Sequence, residues 1–201
     1  MRAGKPAFML KSNPMKVLPT PIEGVHLIEL DRFTDDRGSL TKAFTETALA
    51  EHSIPTHFPE HFYSVSRRGV IRGMHAQRAH TECGKFIYTP VGRVLDVVLD
   101  MRPDSLTYQQ FFKTELSGEN HTGIYVPNGC MHGFLSQEEN THTVYFQTKM
   151  RDPEFECGIR FDSFGMDWGE ENPIVSERDR NLPTMEEFAS TTVPVLATTS
   201  L

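Results

Sequence analysis

The sequence predicts an all-β domain, a barrel or sandwich with a few short peripheral helices. Short runs rich in Val, Ile, Phe, Tyr and Thr recur along the chain, and each has the length of one strand. Turn-forming residues separate these runs, for example at 35–38, 102–104 and 127–129. Helical periodicity is weak in most of the chain. In chain order, the predicted strands are VHLIEL, SLTKAFT, HFYSVS, GVIRGMH, KFIYTPVG, RVLDVVLDM, QQFFKTEL, GIYVP, CMHGFLS and HTVYFQTK.

The run RVLDVVLD is better explained by a strand that lines a barrel than by a helix. Because side chains alternate between the two faces of a strand, Asp96 and Asp100 share a face with Val94 and Val98. Two other segments, 45–54 and 183–190, have helical character, and Thr45 or Thr47 is the expected cap of the first. We find no repeat and no linker, so residues 21–188 are predicted to form one domain between flexible ends at 1–20 and 189–201.

Composition and charge argue against a nucleic-acid-binding, membrane or secreted protein. The 201 residues carry a formal net charge of −7 with mixed signs, so neither nucleic acid nor an anionic membrane is an expected partner. Three cysteines without metal-ligand spacing indicate free thiols in a cytoplasmic protein. No apolar run is long enough for a signal peptide or a membrane span.

The stretch GVIRGMHAQ, residues 69–77, places Arg72 and His75 within an apolar strand. A buried arginine needs a partner, and a guanidinium suits the oxygens of a phosphate. A strand that lines a ligand pocket would account for both polar residues. Taken without the surrounding motifs, His75 would fit a buried core histidine better than a catalytic residue.

The order of Gly69, His75, Gln77, Lys85 and Gly92, followed by Pro127, Gly129 and His132, resembles the cupin signature and implies a jelly-roll barrel, the double-stranded β-helix. Metal-binding cupins present imidazoles and a carboxylate, whereas this chain has an amide and an ammonium at two of those places. We therefore expect no metal. The alternative is that His80 and Glu82 complete a metal site, as in a metal-dependent cupin oxygenase.

Several further motifs extend the resemblance from about Val25 to Pro183. Together they resemble the dTDP-4-dehydrorhamnose 3,5-epimerases and related nucleotide-sugar epimerases. This resemblance implies inversion at C3, C5 or both of a nucleotide-diphosphate 4-keto-6-deoxyhexose through an enolate. It also implies a homodimer and no cofactor, and the apolar VHLIEL segment is compatible with a dimer contact. The motifs are DDRGSL, SVSRRGVIRGMHAQ, GKFIYTPVGRVLDVVLDMRPDS, YVPNGCMHGF, VYFQTKMRDP, GIRFD and SERDRNLP.

The resemblance assigns catalytic roles to four residues. His75 would be the base, and Asp179 would orient its ring and stabilise the imidazolium. Lys85 would stabilise the developing oxyanion, and Tyr145 would donate a proton from the opposite face. Arg37, Arg72, His132, Ser66 and Arg151 are the expected substrate-binding residues.

Four positions depart from the family pattern. Glu60 and Phe62 stand in place of amide residues, Ala76 replaces an aromatic residue, and Arg151 replaces a second tyrosine. These changes suggest the same chemistry with an altered substrate or scope. Two alternatives stay open at this point, a nucleotide-sugar 3,4-ketoisomerase and a non-catalytic sugar-nucleotide-binding cupin.

Overall fold

A computed structural model describes residues 15–192, so most of the predicted N-terminal segment and residues 193–201 of the predicted C-terminal tail lie outside the described residues, while residues 189–192 of that tail belong to the last helix. Thirteen strands and three short helices make up this part of the chain. The elements are β1 Lys16–Pro19, β2 His26–Glu29, β3 Asp31–Asp35, β4 Gly38–Lys42, α1 Glu46–Ala50, β5 Glu60–Ser66, β6 Ile71–Gln77, β7 Lys85–Val91, β8 Arg93–Asp100, β9 Phe111–Ser117, β10 Thr122–Val126, β11 Cys130–Ser136, β12 Thr141–Gln147, β13 Glu156–Gly158, α2 Glu177–Arg180 and α3 Met185–Thr192.

Two antiparallel sheets carry the fold. One has the strand order β1-β2-β10-β7-β12-β5, the other has the order β13-β6-β11-β8-β9, and β3 and β4 form a separate hairpin. Each of the ten predicted runs contains a strand. The predicted all-β jelly-roll with short peripheral helices is confirmed.

Three strands were not expected from the sequence. They are β1, β3 and β13, which are short and contain proline, charged residues or glycine. β1 corrects the prediction for part of the N-terminal segment, because residues 16–19 pair along their length with β2. β2 lies in the VHLIEL segment and pairs with β1 and β10 of the same chain, and Ile28 is fully buried.

The apolar residues form three clusters. Ile87, Val94, Val98 and Phe134 belong to one that contains residues of both sheets. A second packs the loop around Trp168 against β6, β8 and β11, and a third packs α1 against the six-stranded sheet. These clusters pack between the two sheets and against their outer faces, so the strands form a frame for side chains that point between them.

Two of the three helices lie in the segments predicted to be helical, whereas α2 was not predicted. α2 is only four residues long, and its Ser176 cap accepts a hydrogen bond from the Asp179 backbone N–H at 3.1 Å. This helix brings the sequence SERDR against β6.

A bulge in β6 explains why Arg72 and His75 line the same cavity although they are three residues apart. His75 pairs with His132 and Arg72 pairs with Phe134, so two residues of β6 oppose the single residue Gly133. Gly73 has a φ of +133°, and a side chain there would collide with the Gly133 backbone. Only glycine therefore fits at this crossing of the two strands.

Within residues 15–192, no helix is both long and apolar enough to span a bilayer. All three cysteines belong to this part of the chain and are free thiols.

Candidate active site

A cavity of about 770 Å³ opens between the two sheets and is bordered on one side by α2. β5, β7 and β12 contribute one wall, and β6 and β11 contribute the facing wall. The residues that line it are Glu60, Phe62, Ser64, Val70, Ile71, Arg72, His75, Ala76, Gln77, Lys85, His132, Phe134, Tyr145, Gln147, Arg151, Glu156, Ile174, Val175, Ser176, Arg178 and Asp179.

His75 and Asp179 form a hydrogen-bonded pair in this cavity. His75 Nε2 lies 2.8 Å from Asp179 Oδ1, and Asp179 Oδ2 accepts a hydrogen bond from the Gly73 backbone N–H at 3.4 Å. Because Nε2 is engaged by the carboxylate, Nδ1 is the ring nitrogen available to a ligand. The carboxylate thus fixes the direction in which His75 presents its free nitrogen.

Burial lowers the pKa of His75 below its ordinary value, although the hydrogen bond and charge of Asp179 act in the opposite direction. The positive charges of Lys85 and Arg178 lower it further. Burial alone would raise the pKa of Asp179, but its hydrogen bond with His75 holds it below the ordinary range. At neutral pH the imidazole is therefore uncharged and the carboxylate is ionised.

Lys85 extends from β7 towards the strand that carries His75. Its ammonium donates a hydrogen bond to the His75 carbonyl oxygen at 3.1 Å. Burial lowers the pKa of Lys85, while Cys83, Cys157 and Glu156 counteract this effect. The residue supplies a partly dehydrated positive charge in the cavity, where charge interactions are strong.

Tyr145 lies on the wall opposite His75, because β12 and β6 belong to different sheets. It is 8% exposed, and burial raises the pKa of its phenol far above 10, so the hydroxyl stays protonated. Phe62, its direct neighbour across β5 and β12, stacks on its ring with centroids 4.8 Å apart. One face of Tyr145 is therefore covered by an apolar ring.

His132 forms a second imidazole–carboxylate pair. Its Nε2 lies 2.7 Å from Asp96 Oδ2, and both residues are buried. Asp96 Oδ1 is buried without a hydrogen-bond partner among the described residues. The His132 ring meets Tyr145 edge-on at 6.2 Å and lines the same cavity, with Asp96 buried behind it.

Arg72 places an exposed guanidinium on the cavity wall. Its Nε donates to Ser66 Oγ at 3.1 Å, and its second contact is the Val65 carbonyl oxygen at 3.4 Å. Ser66 is 2% exposed and reaches the site through Arg72 rather than by lining the cavity. The remaining donors of Arg72 suit a phosphate group.

Arg151 lines the cavity from the loop after β12. Its guanidinium makes a two-pronged contact with Glu156, at 2.7 and 3.0 Å, and its backbone N–H donates to Glu60 at 2.6 Å. Arg178 lies 3.2 Å from Glu156 Oε2, an oxygen that Arg151 also contacts. Two arginines and two glutamates thus form a charged border of the cavity.

Arg37 is the one predicted substrate-binding residue that the structure leaves away from this site. It lies exposed in the β3–β4 turn, is not among the residues that line the cavity, and forms an ion pair with Asp35. The turn belongs to a hairpin separate from both large sheets. Within one chain Arg37 therefore does not reach this cavity, and its role as a substrate-binding residue stays a prediction.

Three charged residues that matter to the geometry were not predicted from the sequence as site residues. Asp96 had a signal, because the alternation of β8 directs it inwards with Val94 and Val98. Glu156 and Arg178 had none, because their proximity to His75 depends on how β13 and α2 pack.

No group of three or more His, Cys, Asp or Glu side chains that would suit a metal ion occurs in the described part of the chain. Gln77, at a place where metal-binding cupins have an imidazole, instead bonds the backbone of Thr81, Met150 and Asp152.

The convergence of a neutral imidazole, a buried ammonium and a protonated phenol suits proton transfer at a carbon atom. The imidazole can accept a proton from one wall, the phenol can donate one from the facing wall, and the ammonium can stabilise negative charge between them. Arg72 adds a site for an anionic part of the same ligand.

The profile of the dTDP-4-dehydrorhamnose 3,5-epimerase family matches residues 19–187. The enzyme of this name from Methanothermobacter thermautotrophicus is 34% identical over 177 residues, which cover 86% of this chain and 95% of the relative. The Bacillus anthracis crystal structure of such an enzyme, with TDP and PPi bound, has a TM-score of 0.83 at 31% identity, covering 86% of this chain and 100% of that one. NovW from Streptomyces spheroides, a 4-keto-6-deoxy sugar epimerase, has a TM-score of 0.86 at 28% identity, covering 92% and 94%.

Proposed function

This chain belongs to the dTDP-4-dehydrorhamnose 3,5-epimerase family and is a nucleotide-sugar epimerase, and we propose that it holds its substrate between His75 and Tyr145. The substrate is a nucleotide-diphosphate 4-keto-6-deoxyhexose, and the reaction inverts C3, C5 or both in deoxysugar biosynthesis. The observation that carries this assignment of roles is the His75–Asp179 pair at 2.8 Å, in a cavity whose facing wall presents Tyr145.

The reaction begins with proton removal next to the ketone. Nδ1 of His75 takes the proton from C3 or C5, and the electron pair of the broken C–H bond moves onto the C4 oxygen to give an enolate. Asp179 stabilises the imidazolium that results. Lys85 stabilises the negative oxygen with its ammonium.

Inversion requires that the carbon regain a proton from the other side. Tyr145 donates its phenolic proton to the carbon while the ketone re-forms, and solvent then reprotonates the phenolate and deprotonates His75. The overall reaction consists of proton transfers alone, without net oxidation or reduction. We accordingly propose no cofactor.

The diphosphate binds at Arg72, and His132 and Arg151 border the sugar. Arg72 has a fixed orientation because Ser66 accepts its Nε–H, so its other donors point to a defined place. The ring of Phe62 and the small side chain of Ala76 give the sugar site an apolar part, which sets this cavity apart from the family pattern.

The test is incubation with dTDP- and UDP-linked 4-keto-6-deoxyhexoses in D2O, followed by NMR of the product. Because the acid and base exchange with solvent, we expect deuterium at C3, at C5 or at both, with inversion. Absence of exchange with all of these sugars would contradict the function. A product whose carbonyl has moved to C3 would instead identify a 3,4-ketoisomerase.

We also propose a homodimer in the cytoplasm. β5 is an edge strand of the six-stranded sheet, and it exposes Tyr63 and Val65 at 65% and 46%. An edge strand with exposed apolar residues is suited to association. The three free cysteines support a reducing compartment. Light scattering that gave a monomeric mass would contradict the dimer and leave the chemistry unaffected.

A further inference from the structure

A series of ion pairs runs from the border of the cavity to the carboxylate behind His75. Arg151 contacts Glu156 through two nitrogens, at 2.7 and 3.0 Å. Glu156 Oε2 lies 3.2 Å from the Arg178 guanidinium, and Arg178 Nε lies 3.9 Å from Asp179 Oδ1. Asp179 Oδ1 is the same oxygen that bonds His75.

Glu156 is well placed to control the position of Arg178. It belongs to β13, which pairs with the strand of His75, with Gly158 opposite His75. The two-pronged contact with Arg151 fixes the orientation of its carboxylate. The Glu156 side chain is 23% exposed, whereas the Arg178 side chain is 48% exposed. Without Glu156, the Arg178 guanidinium could pair with another carboxylate, including Asp179.

We propose that Glu156 and Arg178 are positioning residues for the base: Glu156 holds the Arg178 guanidinium beside Asp179, yet outside hydrogen-bond distance, so that Asp179 Oδ1 stays bonded to His75. The importance of this arrangement for turnover rests on the proposed function. Arg178 contributes positive charge near the His75 imidazole. Glu156 prevents the Arg178 guanidinium from bonding Asp179 and so breaking the hydrogen bond between Asp179 and His75.

The charged and titratable groups that face His75 allow the sign of each effect to be worked out. Positive charge disfavours the imidazolium and negative charge favours it. Loss of the Arg178 charge should therefore raise the pKa of His75. Loss of the Glu156 charge should lower it, both directly and because Arg178 can then move onto Asp179. The surrounding groups are Asp179 and Arg178 from α2, Lys85 from β7, Glu156 from β13, His132 from β11, Tyr145 from β12 and Arg72 from β6.

The experiment is a titration of the histidine ring resonances by NMR in the full-length protein, with His75 assigned from the spectrum of His75→Asn. We expect Arg178→Gln to move the His75 titration to higher pH and Glu156→Gln to move it to lower pH, each by about half a pH unit. Arg178→Lys, which keeps the charge, should restore most of the wild-type titration.

Arg160→Gln is the matched control. Arg160 forms a similar arginine–carboxylate pair with Asp162 at 2.6 Å, but it does not line the cavity. This variant should leave the His75 titration unchanged. Shifts of the same sign in Arg178→Gln and Glu156→Gln, or no shift in either, would overturn the inference.

The readout separates this inference from the proposed function, because it needs no substrate. Wild-type protein that fails to exchange deuterium would contradict the function, while the NMR titrations would still decide the inference. Where exchange occurs, the acid limb of kcat/KM should shift in the same direction as the NMR titration in each variant. A different result is that the variants lose activity while both the acid limb of the kcat/KM profile and the His75 titration stay at the wild-type pH. That result would show that the two residues have only a structural role.

Discussion

His75 Nε2 and Asp179 Oδ1 are 2.8 Å apart although 104 positions separate the two residues in the chain. β6 supplies the His75 imidazole, and the capped four-residue helix α2 supplies the Asp179 carboxylate. Asp179 is also bonded by the Gly73 N–H, at the bulge that directs His75 into the cavity. The backbone feature that aims the ring thus also helps to hold its partner.

His75→Asn should reduce deuterium exchange into substrate by at least about 10³-fold, because an amide cannot accept the proton. Asp179→Asn should reduce it by about 10² to 10⁴-fold, since the ring loses both its orientation and the stabilisation of its charged form. The rates are measured by mass spectrometry of substrate recovered from D2O. Exchange at the wild-type rate in His75→Asn would show that another residue is the base.

The pH profile of kcat/KM should have an acid limb below the ordinary histidine value of 6.5 and an alkaline limb below the ordinary lysine value of 10.5. Burial lowers the pKa of both His75 and Lys85, and activity requires His75 to be neutral and Lys85 to be charged. Activity therefore falls as pH drops through the His75 pKa and again as pH rises through that of Lys85. Tyr145 stays protonated across this range, because burial raises its pKa above 10.

Lys85→Arg checks the origin of the alkaline limb. A guanidinium keeps its charge throughout the accessible range, so the limb should move to higher pH even if the maximal rate falls. An alkaline limb that stays in place in Lys85→Arg and disappears in Tyr145→Phe would assign it to the phenol instead.

Tyr145→Phe should separate exchange from inversion. His75 can still remove a proton and return one from the same side, so deuterium should enter the substrate at a rate within about tenfold of the wild type. Inversion should fall by about 10²-fold or more, because no donor remains on the facing wall. NMR of the recovered sugar measures both quantities in one sample. An equal loss of exchange and inversion would contradict the assignment of Tyr145 as the acid.

The sequence predicted those strands whose own side chains favour strand formation. Runs such as RVLDVVLD have alternating inward residues and β-branched side chains, so local pattern and packing agree. The short strands β1 and β13 depend on partners, because KVLP and ECG have little strand preference and pair only where β2 and β6 offer an edge. Such tertiary effects leave no local periodicity.

The candidate site was predictable in its residue types more than in its connections. Resemblance to a family identified His75, Lys85 and Tyr145, and the fold brings them to one cavity. The contact between Glu156 and Arg178 depends on the register of β13 and the packing of α2, which no motif specifies. Arg37 differs from these residues, since its motif predicts a substrate-binding role while the single chain places it in the β3–β4 turn, outside the cavity.

Asp100→Asn should destabilise the fold by about 2–4 kcal/mol at pH 7, because a buried carboxylate with several donors around it is replaced by an amide. Asp100 accepts hydrogen bonds from Arg102, Ser105 and Thr107. Burial would raise the pKa of Asp100, but these bonds hold it far below 3.8. Its contribution is therefore present above about pH 4 and is lost as pH falls further. Urea unfolding of both proteins at pH 7 and pH 3 should show a smaller difference at the lower pH, and an equal difference at both would contradict this account.

Phe62→Ala should change the ratio of deuterium incorporated at C3 and C5 by more than about twofold. The Phe62 ring covers one face of Tyr145 at 4.8 Å, so its loss lets the phenol tilt and changes which carbon it reaches. Loss of the stacked pair should also reduce the free energy of unfolding by about 1 kcal/mol. Phe111→Ala is the matched control, because Phe111 is similarly exposed, packs edge-on against Phe164 and lies outside the cavity. It should lose similar stability while its C3 to C5 ratio stays at the wild-type value. If both variants alter the ratio equally, the effect of Phe62 comes from general loosening of the barrel rather than from its contact with Tyr145.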